Sequence, residues 1–213
     1  MTRLMYSILL YLLLPFTAIK LLWRGFRQPE YLNHWAERYG LFNQPAKKPL
    51  IWLHCVSVGE TRAAGPLIEA LLKRYPKHQI LLTHATPTGR ATGEQLFPSA
   101  QYPNIIRCYL PYDVPHAVNR FLKHFQPALG LLMETELWFN LIAACEAKHI
   151  PLLLVNARLS ERSAKRYATV SALTKVALNG LKAIATQTVQ DAERFEALMQ
   201  TSNHISVMGR SEE

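Results

Sequence analysis

Glu60 follows Gly59 directly and stands three residues after Ser57, in the stretch His54-Cys55-Val56-Ser57-Val58-Gly59-Glu60-Thr61. A carboxylate at a strand-to-helix turn can take a proton from an alcohol, and helix N–H groups beside it can hold an anion. Gly59 would permit a sharp turn there. The plainer alternative makes Glu60 a first-turn acid that complements the helix dipole, worth under about 1 kcal/mol. A helix start holds a carboxylate's pKa down while a base benefits from a higher one; the conflict eases because the proton moves only as the new C–O bond forms. Both readings stand open on the residues alone. A second acidic group lies in Met133-Glu134-Thr135-Glu136-Leu137-Trp138. On an extended backbone Glu134 and Glu136 would point the same way, shift each other's pKa, and hold a sugar hydroxyl or orient Arg158. Trp138 reads more simply as a cap on the core.

A third cluster, Asn156-Ala157-Arg158-Leu159-Ser160-Glu161-Arg162-Ser163, places two arginines around a turn. Arg158 and Arg162 could grip a phosphate bidentately, with Asn156 beside them. They read equally as solvated helix arginines next to Glu161. Thr86 and Thr88 follow another apolar run and are further ligand candidates, although helix N-caps account for them and for Asp113. No nearby His or Asp completes a metal site around the acids. Of the scattered histidines, His54 and His84 alone fall at expected strand ends. Cys55, Cys108 and Cys145 are far apart and read as reduced core thiols. Walker A, GxGxxG, GxSxG and HExxH patterns are all missing, and nothing matches a nucleic-acid module.

These residues need a scaffold, and the pattern after the Pro- and Lys-rich joint at 44–49 supplies one. Short apolar runs at 49–56, 79–85, 105–110, 128–134, 151–156, 182–187 and 204–209 read as buried strands. Helical stretches separate them: from Gly59 to about Tyr75, 89–97, 114–125, 137–148, two across 159–181, and 189–200. Such alternation predicts an α/β domain with a Rossmann-like parallel sheet and helices on both faces. The polar residues named above then gather beyond the carboxyl ends of the strands, where open sheets of this kind bind ligands.

The N-terminal segment is different. Leu4 to Ile19 carries no charge; Arg3 precedes it and Lys20, Arg24 and Arg27 follow. With Leu21, Leu22 and Trp23 added it is long enough for a retained membrane segment that spans or half-inserts, kinked at Pro15, and no small-x-small cleavage site follows it. Residues 1–27 are therefore expected to form a membrane anchor helix, 28–48 a basic connector, and 49–213 the globular domain on the cytoplasmic face. Across 213 residues, 24 Lys and Arg oppose 15 Asp and Glu, for a net charge of +9. That surplus favours an anionic partner: nucleic acid, anionic lipid or a phosphorylated substrate.

Taken together, the segments 54–61, Thr86-Pro87-Thr88-Gly89, Leu110-Pro111-Tyr112-Asp113, Met133 to Trp138 with Asn140, and 155–163 resemble, in order, the N-terminal domain of the 3-deoxy-D-manno-octulosonic acid (Kdo) transferases. The resemblance implies the N-terminal half of a two-domain GT-B glycosyltransferase needing no metal or other cofactor. It implies transfer of Kdo from CMP-Kdo to a lipid A precursor, lipid IVA, with inversion, at the inner membrane. Glu60 matches the family's base, with Ser57, Gly59 and Thr61 around it; Glu136, with Glu134 beside it, matches a second acidic motif that assists placement of acceptor or donor. The partners implied are that anionic glycolipid, CMP-Kdo and the membrane surface, and no nucleic acid. Phe139 departs from the family, which usually has Pro there. The residues at 208–213 fall where the family continues into its donor domain, so the sequence is expected to be a fragment, a truncated frame or a separately encoded half, inactive alone. A non-catalytic, membrane-tethered acceptor binder and another GT-B glycosyltransferase are the alternatives.

Overall fold

β1 (Leu50–His54) is buried along its whole length, because it lies mid-sheet with apolar layers on both sides. Leu50 and Trp52 point into one layer with Leu81, Phe121 and Phe125. Ile51 and Leu53 point into the other with Ile68, Leu82 and Phe97. This is a computed structural model, and it describes residues 1–47, 49–135, 137–199 and 204–209. The remaining strands are β2 (Gln79–His84), β3 (Ile105–Tyr109), β4 (Leu129–Met133), β5 (Leu152–Ala157), β6 (Ala183–Thr186) and β7 (Ile205–Val207). All described pairings are parallel, in the order β3-β2-β1-β4-β5-β6-β7.

Helices α2 (Val58–Ala63), α3 (Gly65–Arg74) and α4 (Pro87–Leu96) cover one face of the sheet. On the other lie α5 (Pro115–Phe125), α6 (Phe139–Ala147), α8 (Ser171–Asn179) and α9 (Val189–Met199), with α7 (Glu161–Ala168) packed between α8 and α9. The chain builds outward from β1 to β3, returns to β4 on the other flank of β1, then builds outward again. The crevice beyond the carboxyl ends of β1 and β4 is the resulting switch point. The expected strands and helices are present within a few residues at their ends, except that the single helix expected from Gly59 to about Tyr75 is two, α2 and α3, which meet at Ala64.

The first 47 residues pack against the globular domain. α1 (Arg3–Arg27) runs through Pro15 without interruption and is long and apolar enough to cross a membrane. It does not stand apart from the globular domain, however. Tyr6 donates to Asp113 at 3.0 Å, Ser7 donates to Asn140 at 2.9 Å, Tyr11 lies 3.0 Å from His116, and Thr17 lies 3.1 Å from Tyr39. The stretch after α1, expected as a basic connector, is folded onto the domain as well. It holds two short 3₁₀ turns, Pro29–Tyr31 and Trp35–Tyr39, with Glu37 and Arg38 buried. The Glu37 carboxylate accepts from Arg90, the Tyr109 backbone and Gln44, while Arg38 donates to the Ala85 carbonyl and stacks over the Tyr109 ring. Gly40 has φ +81°, and a β-carbon there would strike the Ala117 backbone at 2.8 Å. Charged side chains and a glycine make this stretch look like a linker in sequence; pairing across to β3 and α4 makes it part of the fold.

Candidate active site

Beyond β1 the backbone leaves the sheet at Cys55 and Val56 and enters α2 through Ser57, an extended N-cap residue with φ −119° and ψ 170°. Ser57 Oγ accepts from the Glu60 amide at 3.3 Å and donates to Glu60 Oε1 at 2.9 Å, and the Val56 amide donates to Glu60 Oε2 at 2.7 Å. Ser57 and Glu60 thus form a variant of the capping box, in which the third helical residue reaches back to the strand end. Glu60 is 6% exposed, and its two carboxylate oxygens are each fixed by a donor. Gly59 does not make the turn: it is already inside α2, and its backbone is not left-handed. Gly59 is exposed, and a β-carbon there would meet only Ser57 Oγ, at 3.9 Å, so the surroundings do not themselves demand glycine. Thr61 faces inward instead, fully buried, donating to the Ser57 carbonyl and lying 3.4 Å from His84 Nδ1.

β4 supplies the facing arm. The strand stops at Met133, and Glu134 adopts φ +59°. The condition for Glu134 and Glu136 to share a direction, an extended backbone, therefore fails; Glu136 itself lies outside the described residues. The Glu134 amide donates to the Val155 carbonyl at 3.1 Å, and Asn156 on β5 is also left-handed, at φ +52°, where the β5–β6 register shifts. Two non-glycine residues in this costly conformation, at the adjacent ends of β4 and β5, mark a backbone held by its surroundings. The Cys55 thiol sits between the two arms; burial raises its pKa well above the ordinary value, and the Glu60 and Glu134 charges raise it further. Arg158 and Arg162 are exposed, and among the described residues neither makes an ion pair. Arg162 shares a shallow surface groove with Glu161, Lys165, Arg166 and Thr169 of α7 and its end.

Under the two arms lie His54 and His84, both fully buried. Burial holds His54 down at about 4 and, with the neighbouring charges of His54, Arg107 and Arg90, His84 at about 3. Both are neutral at physiological pH. His54 Nδ1 lies 2.9 Å from Thr83 Oγ1, and Gly93 on α4 lets that helix approach His84 so closely that a β-carbon would sit 2.9 Å from Nε2. Thr86 is the N-cap of α4 and also donates to the Val56 carbonyl, tying the β2 end to the Glu60 turn; Thr88 donates to Thr86. The sequence pattern predicts a routine helix cap at Asp113, yet it is the buried hub of the α1 side. It accepts from Tyr6 and from the Asn140 and Leu141 amides. Burial raises its carboxyl to about 6, against the pull of those donors. Its placement directly after Pro111-Tyr112 gave no sign of this.

A seven-stranded parallel sheet with helices on both faces and polar residues gathered beyond its switch point defines a Rossmann-like domain of the kind that forms one half of GT-B proteins. Two solved structures share the fold. They are the UDP-GlcNAc 2-epimerase of Neisseria meningitidis bound to UDP-GlcNAc (TM-score 0.54, 14% identity, 76% of this chain and 47% of that one) and another UDP-N-acetylglucosamine 2-epimerase (TM-score 0.54, 16% identity, 77% and 49%). At such identities the likeness is one of fold.

The sequence goes further. Residues 33–211 match the family described as 3-Deoxy-D-manno-octulosonic-acid transferase (kdotransferase). The chain is 44% identical over 162 residues to the 3-deoxy-D-manno-octulosonic acid transferase of Bordetella pertussis, covering 74% of this chain and 37% of the relative. It is 34% identical over 211 residues to that of Haemophilus influenzae, covering 98% and 48%. The chain belongs to the Kdo transferase family, and it spans less than half the length of these two relatives.

Proposed function

We propose that this chain is the acceptor-side portion of an inverting transferase that moves Kdo from CMP-Kdo to lipid IVA at the inner membrane, with Glu60 as general base. One observation supports this above the others: Glu60 is a buried carboxylate at the switch point, beside the open space over Gly59, with its oxygens fixed by Val56 and Ser57. In the proposed step the acceptor hydroxyl gives its proton to Glu60 as its oxygen forms a bond to the anomeric carbon of Kdo. The bond from that carbon to the CMP phosphate oxygen breaks on the opposite face, and CMP leaves with the electron pair. Fixing the base beforehand lowers the reorganisation cost of the transfer. Glu134 stands on the β4 side as a positioning carboxylate for a sugar hydroxyl, while Arg158, exposed after β5, is suited to an acceptor phosphate. The proposed step uses no metal.

The capping-box geometry also favours a second reading, in which Glu60 only closes the helix and the chain binds acceptor without chemistry. Glu60→Gln separates the two, because glutamine serves in a capping box but accepts no proton. In a chimera joining this chain to the C-terminal half of the Haemophilus influenzae relative, turnover of CMP-Kdo and lipid IVA should fall by about 10³-fold with folding unchanged. Turnover within a few-fold of the parent would remove Glu60 from the base role.

A further inference from the structure

We infer that α1 lies in the plane of the membrane surface, its outer stripe sunk into an anionic leaflet and its inner stripe held by the domain, and does not cross the bilayer. This deepens the membrane-surface reading above and rests on it only for the presence of a bilayer.

Leu4, Ile8, Leu12, Phe16, Ile19 and Trp23 recur every three or four residues and so form one stripe along the helix. They face outward: Leu12, Phe16 and Ile19 are 66%, 64% and 62% exposed. Ser7, Leu21 and Gly25 share the opposite side and are buried. Gly25 is needed there, since a β-carbon would lie 2.5 Å from the Leu32 side chain. A helix crossing the bilayer would be surrounded by lipid over a hydrocarbon layer of about 30 Å. The domain contacts of α1, running from Tyr6 through Ser7 and Tyr11 to Thr17, occupy about 16 Å of its length. Crossing would withdraw these polar side chains into hydrocarbon and remove the Tyr6 donor from the buried Asp113 carboxylate. Both cannot hold, and the contacts are the ones present.

The charges fit an anionic lipid surface. α1 contains no acidic residue, whereas Arg3 stands at one end and Lys20, Arg24 and Arg27 are exposed at the other. At 100° per residue Lys20, Arg24 and Arg27 fall on a flank between the two stripes, where headgroup phosphates lie when a helix is half immersed. Arg27 stacks on Trp23, leaving an amphipathic pair at the same level.

The inference is tested with spin labels on single cysteines in this chain, bound to vesicles of phosphatidylglycerol and phosphatidylethanolamine. The three native cysteines are buried. Ile8→Cys, Leu12→Cys, Phe16→Cys and Ile19→Cys should report one shallow depth, and Leu21→Cys protection by protein. A depth that rises from Ile8 to Leu12 and falls again toward Ile19, or a Leu4→Cys label reached only from the vesicle lumen, would overturn in-plane seating. Leu12→Glu with Phe16→Glu, on an already exposed face, should reduce partitioning at least tenfold with an unchanged circular-dichroism spectrum; undiminished partitioning also counts against the inference. These vesicles contain neither glycolipid nor sugar nucleotide, so the outcome is independent of whether Glu60 is a base.

Discussion

Ser57–Glu60 and Thr188–Asp191 are one four-residue device used at two strand ends. Each begins a helix with a hydroxyl that accepts from the amide three residues on and donates to that residue's carboxylate, and each carboxylate is buried. The difference is where the second carboxylate oxygen is spent. Asp191 accepts from the Leu159 amide of a neighbouring loop at 2.8 Å, with Arg194 at 3.6 Å, so it staples the β5–α7 loop to α9. Glu60 accepts from Val56 in its own turn and stands at the switch point next to open space. An identical local motif therefore serves fold closure beside β6 and, in our proposal, proton transfer beside β1. Position in the sheet separates the two, not residue type.

Exchanging the two losses gives the largest expected contrast. Glu60→Gln should cost about 10³-fold in turnover and no more than about 1 kcal/mol in stability, since glutamine keeps one of the two accepting oxygens. Asp191→Ala should leave turnover of the chimera within a few-fold and cost about 2 to 3 kcal/mol in urea unfolding, because the buried Leu159 amide loses its acceptor. If Asp191→Ala abolished turnover while Glu60→Gln did not, the chemistry would belong to the other end of the sheet.

Acid should act next. His54 and His84 have folded pKa values pushed below the unfolded value, so their neutral forms contribute stability that is intact above about pH 6.5 and is lost as pH falls toward 4 and 3. Asp113 works in the opposite sense: its folded value is raised to about 6, so its cost, present at neutral pH, is relieved as pH drops through 6. Two histidines outweigh one aspartate, and urea midpoints measured from pH 7 to 4.5 should report a net loss on the order of 3 kcal/mol. A flat profile would mean that the strand-end histidines are not buried neutral.

The matched hydroxyls sharpen the comparison at smaller amplitude. Ser57→Ala and Thr188→Ala should each destabilise by about 1 kcal/mol in equilibrium unfolding. Only Ser57→Ala should also reduce turnover, by roughly tenfold, since it frees one oxygen of the base. Last, Glu134→Gly should be more stable than Glu134→Gln by about 0.5 to 1 kcal/mol in the same unfolding assay, because glycine alone accepts φ +59° without strain. Equal stabilities would mean that the β4 end is not held left-handed.

The sequence by itself determined the sheet. Continuous apolar runs such as Leu50–His54 and Leu129–Met133 can be satisfied only between two layers, and the helices between them force parallel pairing. Ser57 followed at the third residue by Glu60 is a local signal of a helix start, and it was legible for the same reason: its partners are its neighbours. What tertiary structure alone decided depends on partners far along the chain. Glu134 and Asn156 are left-handed because adjacent strands end together, which no spacing announces. Asp113 looked like a routine cap until Tyr6, more than a hundred residues earlier, was brought to its carboxylate. For α1, composition states that the helix is apolar and basic at its ends; whether lipid surrounds it or only covers one side is decided by Asp113, His116, Asn140 and Tyr39, which bind its inner face. A pattern within one element is written in that element, whereas a contact between elements is written in neither.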